Sequence, residues 1–301
     1  MNEFPLFVAA GEALTDMIAQ DAAHTEWLSQ VGGSTWNVAR AMAALGVASG
    51  FAGAISEDVF GDALWRASEA AGLDTRLLQR VGKAPLLAIV QRAEPPSYFF
   101  VGADSADLHF DAAALPAGWR SRCRWAHFGG ISLAREPLAG KLVALAEQLK
   151  GDGVRISYDP NFRLLMDERY DGTLRRMTEL ADVVKVSAED LAGLFRTDDI
   201  DAAFATLRGW NRAATYLYTR GGEGASLHIG AERWHAPAPR VDVVDTVGAG
   251  DASVAALVYS MMTHGDEPAR HLRFAVAAGA AACEAAGASA PSMAAIERLL
   301  G

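Results

Sequence analysis

Near the C-terminus the chain carries Val241-Asp242-Val243-Val244-Asp245-Thr246-Val247-Gly248-Ala249-Gly250-Asp251. The first part alternates apolar and polar residues as a strand does. Val254, Leu257, Val258 and Met261 then recur at the spacing of a helix face. The segment is expected to run strand, glycine turn, helix, with Asp251 at or just inside the helix start. Gly248 and Gly250 allow the backbone to approach a ligand and turn its N–H groups outward. The amides of Gly248, Ala249 and Gly250, with the positive end of the helix dipole, make an anion site. A carboxylate beside such a site is where a hydroxyl loses its proton while a phosphoryl group is held. The expected chemistry is phosphoryl transfer, with Asp251 as the base. Simple helix capping by Asp251 explains the same short string. A Rossmann turn does not: Ser253 stands at the third glycine, and too little chain follows for repeated βαβ units. No G-x-x-x-x-G-K-[ST] string occurs.

Other polar residues fall where strands are expected to end. Leu6 to Glu12 reads as a core strand leading to Asp16, and 17–31 as short strands and loop. Gly32-Gly33-Ser34-Thr35-Trp36-Asn37 opens a helix with Val38, Ala41, Met42 and Leu45 on one face and Gly46 as its stop. A βα alternation follows, with strands near Val47–Ile55, Trp125–Phe128, Val154–Tyr158, Asp182–Val186, Tyr216–Thr219 and Ala225–Ile229. Helices are expected near 60–71, 137–150, 268–286 and 293–300. Asp159-Pro160-Asn161-Phe162-Arg163 and Ser187-Ala188-Glu189-Asp190 sit just past strands, where open α/β sheets bind ligands. Lys185 lies on one of those strands, and a salt-bridged strand lysine accounts for it equally well. Thr219, Gly221 and Gly224 form a glycine loop that a plain hairpin turn also explains. Leu86–Gln91 and Ser97–Val101, joined by Arg92-Ala93-Glu94-Pro95-Pro96, read as a hairpin. His127 is expected to be a core histidine without a catalytic role.

The chain has 301 residues, 51% of them hydrophobic, enough to bury a large core. A net charge of −10 argues against nucleic-acid or membrane-surface partners. Cys123 and Cys283 suggest neither a disulfide framework nor a zinc site. The N-terminal apolar run is short, lacks basic flanks and reads as a buried strand, so a cytoplasmic location is expected.

Asp245-Thr246-Val247-Gly248-Ala249-Gly250-Asp251 closely resembles the C-terminal signature of the ribokinase/PfkB family of carbohydrate kinases, and Gly32-Gly33-x-x-x-Asn37-x-Ala39 is similar to its N-terminal one. The resemblance spans the chain and implies a ribokinase-like α/β fold, a three-layer α/β/α sandwich with a mostly parallel sheet and a small β lid. One domain over 1–301 is expected, with the lid near 14–33 and 84–106. The implied activity is ATP-dependent phosphorylation of a small sugar. Asp16, Gly32, Gly33, Asn37 and Arg163 would contact the sugar, and Lys185, Ser187, Thr219, Gly221 and Gly224 the nucleotide. Asp190 would act on Mg²⁺ through water, and Asp245 would order a monovalent-cation site for K⁺. A homodimer through the lid is also expected. D-x-N-x-R resembles the fructokinase and 2-keto-3-deoxygluconate kinase branches; fructose is the expected substrate, ahead of that sugar acid and of ribose-like sugars or nucleosides. A silent sugar- or nucleotide-binding protein on the same scaffold would lack Asp251 or the glycines, and all are present. Trp36, Val101, Ser253 and the Ser187–Asp190 pair depart from the family pattern.

Overall fold

The computed structural model describes residues 3–91 and 97–301. β1 (Phe7–Ala10) is buried on both faces, as a parallel strand between two helical layers must be. β2 (Leu14–Ala19) and β3 (Trp27–Gly32) then leave the core before α1 (Ser34–Ala44), β4 (Ser49–Ser56), α2 (Val59–Ala70) and β5 (Leu78–Val81). β6 (Leu87–Gln91) and β7 (Ser97–Val101) follow, then α3 (Trp119–Arg122) and β8 (Trp125–Gly129). α4 (Leu138–Gly151), β9 (Arg155–Asp159), α5 (Asp171–Leu180), β10 (Val183–Ser187), α6 (Ala188–Phe195), α7 (Ile200–Trp210) and β11 (Thr215–Thr219) continue the alternation. The chain closes with β12 (Ala225–Ile229), β13 (Glu232–Ala236), α8 (Ala249–Thr263), α9 (Pro268–Ala282) and α10 (Met293–Leu300).

Nine strands form one sheet in the order β13-β12-β11-β10-β9-β8-β1-β4-β5. It is parallel from β11 to β5, and the β12–β13 hairpin extends it antiparallel. Side-chain alternation divides each strand between two cores. Val8 and Ala10 face α4, α5, α6 and α7; Phe7 and Ala9 face α1, α2, α8 and α9. This is the expected three-layer architecture. A separate sheet, β3-β2-β6-β7, pairs β2 with β3 and β6 with β7 antiparallel. Leu14 and Ala88 of this small sheet, with Leu86 just before β6, pack on Ile131, with Phe100 and Leu165 beside them. The linker 92–96, including Arg92, lies outside the described residues.

One expectation needs correction. Residues 241–247 do not form a strand. Val243, Val244 and Val247 are 62%, 63% and 54% exposed, and no strand pairs with them. Pro237 and Pro239 follow β13 and supply no N–H to a ladder. The segment instead docks through Val244 N–H and Asp245 N–H on the Cys283 carbonyl. Conversely, β13 was not expected from the sequence. It is a mostly exposed edge strand, so it lacks the apolar alternation of a half-buried one.

Candidate active site

The parallel strands end on one side of the sheet, where α1 and α8 begin. α8 starts from Gly248 at φ 80°, a left-handed conformation that glycine adopts without penalty, and no side chain caps it. A Cβ at Gly248 would also lie 2.8 Å from Ala288 Cα. Asp251 is the third residue of α8 and only 7% exposed. It does not cap its own helix. It reaches across to α1, accepting from Ser34 Oγ at 2.8 Å and from Asn37 Nδ2 at 2.9 Å. Burial pushes its carboxyl up, while Asn37, Ser34, Lys185 and Arg163 hold it down; the net displacement is upward. Asn37 Oδ1 is buried without a hydrogen-bond partner.

A second chain of contacts leads away from Ser34. Asn161 Nδ2 donates to Ser34 Oγ at 2.9 Å, and Arg163 Nη1 donates to Asn161 Oδ1 at 2.7 Å. Asn161 sits at φ 45°, and its N–H donates to Asp159 Oδ1 at 3.0 Å. Asn tolerates that left-handed geometry better than most residues. Arg163 lies close enough to both Asp16 on β2 and Asp251 to lower their carboxyl pKa values. For Asp16 burial dominates, and its pKa rises to about 6.

Below the α8 turn lies a buried charge cluster. Lys185 Nζ is 3.0 Å from Asp159 and 3.7 Å from Asp190. A Cβ on Gly250 would come within 2.9 Å of that same Nζ, so the ammonium packs directly against the turn. Burial pushes Asp159 up to about 7 against the pull of Lys185, because several carboxylates share one ammonium. Asp190 is displaced the other way. Burial raises it, but Lys185 and hydrogen bonds from Ser187 and Phe162 N–H bring it below the ordinary range.

Asp251, Asn37 and Arg163 thus come together with Ser34 and Asn161. Asp16 faces them through Arg163. The two N-terminal glycines make room for the chain itself: a Cβ at Gly32 would meet Asp16 Oδ2 at 2.4 Å, and one at Gly33 (φ 115°) would meet the Glu12 carbonyl at 2.7 Å. Lys185 is the salt-bridged strand lysine. Ser187 caps α6, and Asp190 completes its capping box; Asp190 Oδ1 accepts from Phe162 N–H and Oδ2 from Ser187 N–H. Thr219 pairs in register with Ser187 at the strand ends. Gly221 faces open space at φ 52°, whereas Gly224 at φ 90° makes room for the Ala236 carbonyl. Asp245 Oδ1 and Oδ2 accept from Val247 and Gly287 N–H, tying the α8 approach to the segment after α9.

The pfkB family carbohydrate kinase profile matches residues 6–295, nearly the whole chain. The chain belongs to that family. It is an ATP-dependent sugar kinase. Among its relatives, a fructokinase from Klebsiella pneumoniae is 32% identical over 264 residues, covering 85% of this chain and 84% of the relative. The structure of a fructokinase from Xylella fastidiosa with bound ATP superposes with a TM-score of 0.90 at 30% identity, covering 99% and 98% of the two chains. A fructokinase from Vibrio cholerae O395, solved with fructose, ADP and calcium, gives 0.86 at 27% identity over 98% and 99%.

The departures from the family pattern have local explanations. Trp36 is fully buried, donates to Ser68 Oγ at 2.9 Å and belongs to the core beside α2. Ser253 faces Gly279, where a Cβ would lie 2.3 Å from its Oγ, so α8 and α9 pack closely through small side chains. Val101 is 47% exposed on β7. Sequence reasoning passed over Glu12, Ser34, Asn161 and Asp159. The last two stood inside D-x-N-x-R, and Glu12 follows the first strand, so position past a strand end was the available signal.

Proposed function

We propose that the enzyme transfers the γ-phosphoryl group of ATP to fructose, with Asp251 as general base. The observation that carries the choice of sugar is the charge balance around Arg163. Asp16 and Asp251 both lie near this guanidinium, and Lys185 is occupied by Asp159 and Asp190. A neutral ketohexose adds no charge there. A sugar acid adds a third carboxylate, whose desolvation needs another cation or several hydrogen-bond donors. Arg80 and Lys83 are engaged elsewhere: Arg80 pairs with Asp62 and Lys83 with Asp104, each at 2.6 Å. The curated relative and both solved relatives described above are fructokinases, which supports the same reading.

In this reading Asp16 and Arg163 hold sugar hydroxyls, and the unpartnered Asn37 Oδ1 accepts another. Gly32 and Gly33 shape the floor. The Gly248, Ala249 and Gly250 amides hold the transferring phosphoryl over Lys185, and Ser187, Thr219, Gly221 and Gly224 border the nucleotide. Among the described residues no group of three or more His, Cys, Asp and Glu side chains is placed to hold a metal. That fits a Mg²⁺ carried mainly by the ATP phosphates, where it neutralises developing charge. Asp190 would act on it mainly through water, while its oxygens also accept the Phe162 and Ser187 N–H groups. Asp190→Asn keeps part of the cap and should raise the Mg²⁺ concentration for half-maximal rate by about tenfold, the scale of outer-sphere effects. An unchanged Mg²⁺ titration leaves Asp190 as cap and ion-pair partner only. K⁺ beside Asp245, a cytoplasmic location and a homodimer through the small sheet complete the proposal. Trp27, Leu28, Phe99 and Val101 of that sheet are exposed, and no helix among the described residues is long and apolar enough to cross a membrane.

The substrate test is kcat/KM for fructose against 2-keto-3-deoxygluconate on one preparation. Fructose should win by at least about tenfold, about 1.4 kcal/mol of transition-state discrimination. A tenfold preference for the acid would overturn the sugar assignment and leave the kinase intact.

A further inference from the structure

The helix that presents Ser34 and Asn37 to Asp251 starts without a cap of its own. α1 begins from Gly33, and no side chain in its first turn is acidic. The N-terminal N–H groups of a helix need acceptors when they are buried. Here the acceptor comes from another part of the chain. Glu12, two residues past β1 and 2% exposed, accepts Ser34 N–H on Oε1 at 3.1 Å. Its other oxygen accepts Ser132 N–H at 3.3 Å, and its backbone carbonyl accepts Thr35 Oγ1 at 3.0 Å. The chain is shaped around this carboxylate. Gly130 stands at φ 63°, where a Cβ would lie 2.4 Å from Glu12 Oε1. Among the described residues Glu12 has no ion-pair partner; burial pushes its carboxyl up to about 7 against the pull of the Ser132 hydroxyl and of backbone N–H groups. Burial of an unpaired carboxylate is costly, and this one holds the residue whose hydroxyl contacts Asp251.

We infer that Glu12 is a positioning residue for phosphoryl transfer: it fixes the start of α1 so that Ser34 and Asn37 hold the Asp251 carboxylate in its working orientation. The route is short. Glu12 Oε1 binds the Ser34 amide, and the Ser34 hydroxyl binds Asp251. The same hydroxyl accepts from Asn161, but Asn161 is also held by Asp159 and Arg163, so the sugar side keeps its own anchors. Glu12 itself has no contact with Asp251, so its effect should appear in turnover and depend on Ser34. The inference rests on the reading of Asp251 as base.

The test is a double-mutant cycle with Glu12→Gln and Ser34→Ala, alongside Asp251→Asn. Glutamine keeps the size of Glu12 but sets an NH₂ against one of the two N–H donors. Glu12→Gln should lower kcat by about 10- to 100-fold, the scale of a small misplacement of a catalytic group. KM for sugar and for ATP should stay within about twofold, because binding groups are not removed. In the Ser34→Ala background the same substitution should cost several-fold less than in the wild type, since the hydroxyl route to Asp251 is already cut and only Asn37 still ties α1 to it. Additive effects, a change carried by KM, or full activity of Glu12→Gln would each overturn the inference. If Glu12→Gln does not fold, Glu12→Asp replaces it in the cycle: one methylene shorter, it cannot reach both amides, and the same non-additivity is required. The underlying reading is judged separately. Turnover retained in Asp251→Asn removes the base assignment whatever the cycle shows. Turnover lost in Asp251→Asn with an additive cycle removes only the role of Glu12.

Discussion

Asp251→Asn should lower kcat by about 10²- to 10⁴-fold, the usual cost of losing a general base. The substitution preserves shape and removes the proton acceptor. An amide at 251 retains one acceptor oxygen, so it can keep a bond from Ser34 Oγ or Asn37 Nδ2 but not both as donors. Folding should survive, because Asn37 can turn its own amide to offer Oδ1. ATP affinity should stay within about threefold, since the lost interaction belongs to the transition state. The pH profile gives a second measurement. Burial raises the Asp251 carboxyl above the usual aspartate value of about 3.9. The base form is therefore lost as pH falls through that raised value, and the acid limb of kcat should lie above the usual aspartate value. Asp251→Asn should abolish that limb in its residual rate. Turnover within threefold of wild type would remove Asp251 from the chemistry.

Much of this site was legible because strand ends and helix starts leave marks in one dimension. The apolar runs around Val8, Phe128, Tyr158, Val184 and Leu217 predicted the parallel core, and the glycines before Asp251 and Asn37 predicted two helix starts. The contacts between those starts were not legible. Ser34 meets Asp251 across more than two hundred residues, and nothing in either local pattern marks the pair. Lys185 shows the same limit. It lies beyond the register of β9 with β10, which pairs Val183 with Ser157 and Val184 with Tyr158 and so carries Lys185 to the level of Asp159. Register is a tertiary fact, and a lone lysine in an apolar strand does not reveal its partner. The error at 241–247 has the opposite cause. Its alternation satisfies a strand pattern, but the two prolines after β13 interrupt any ladder and the segment's amides go to the Cys283 carbonyl instead.

Lys185→Met should be the most disruptive single change in the site, because it leaves buried carboxylates without their cation. Breaking a buried ion pair from one side costs about 3–5 kcal/mol. In a chain of this size that corresponds to a fall in Tm on the order of 10 °C. The loss should grow with pH. Lys185 holds the Asp190 carboxyl below its ordinary value, a stabilisation present above the unfolded pKa of about 3.9 and lost as pH falls through the folded one. Its own raised pKa keeps the ammonium charged throughout this range. Between pH 5 and 8 the titrating partner is Asp159, which burial raises to about 7 even beside the ammonium: at pH 5 it is mostly protonated and the lysine is missed less, whereas towards pH 8 its ionisation goes unpaired in the variant. The gap in Tm between wild type and variant should therefore be smaller at pH 5 than at pH 8. Turnover should fall as well, by about 10²- to 10³-fold, the scale of removing one preorganised group from developing charge. The ammonium packs under Gly250, where the transferring phosphoryl is held in the proposed reaction. Thermal unfolding at both pH values and steady-state kinetics on the surviving protein measure the two effects separately. A Tm gap that is constant with pH would show that Lys185 contributes packing rather than charge. Undiminished turnover in the folded variant would place the ammonium outside the phosphoryl site.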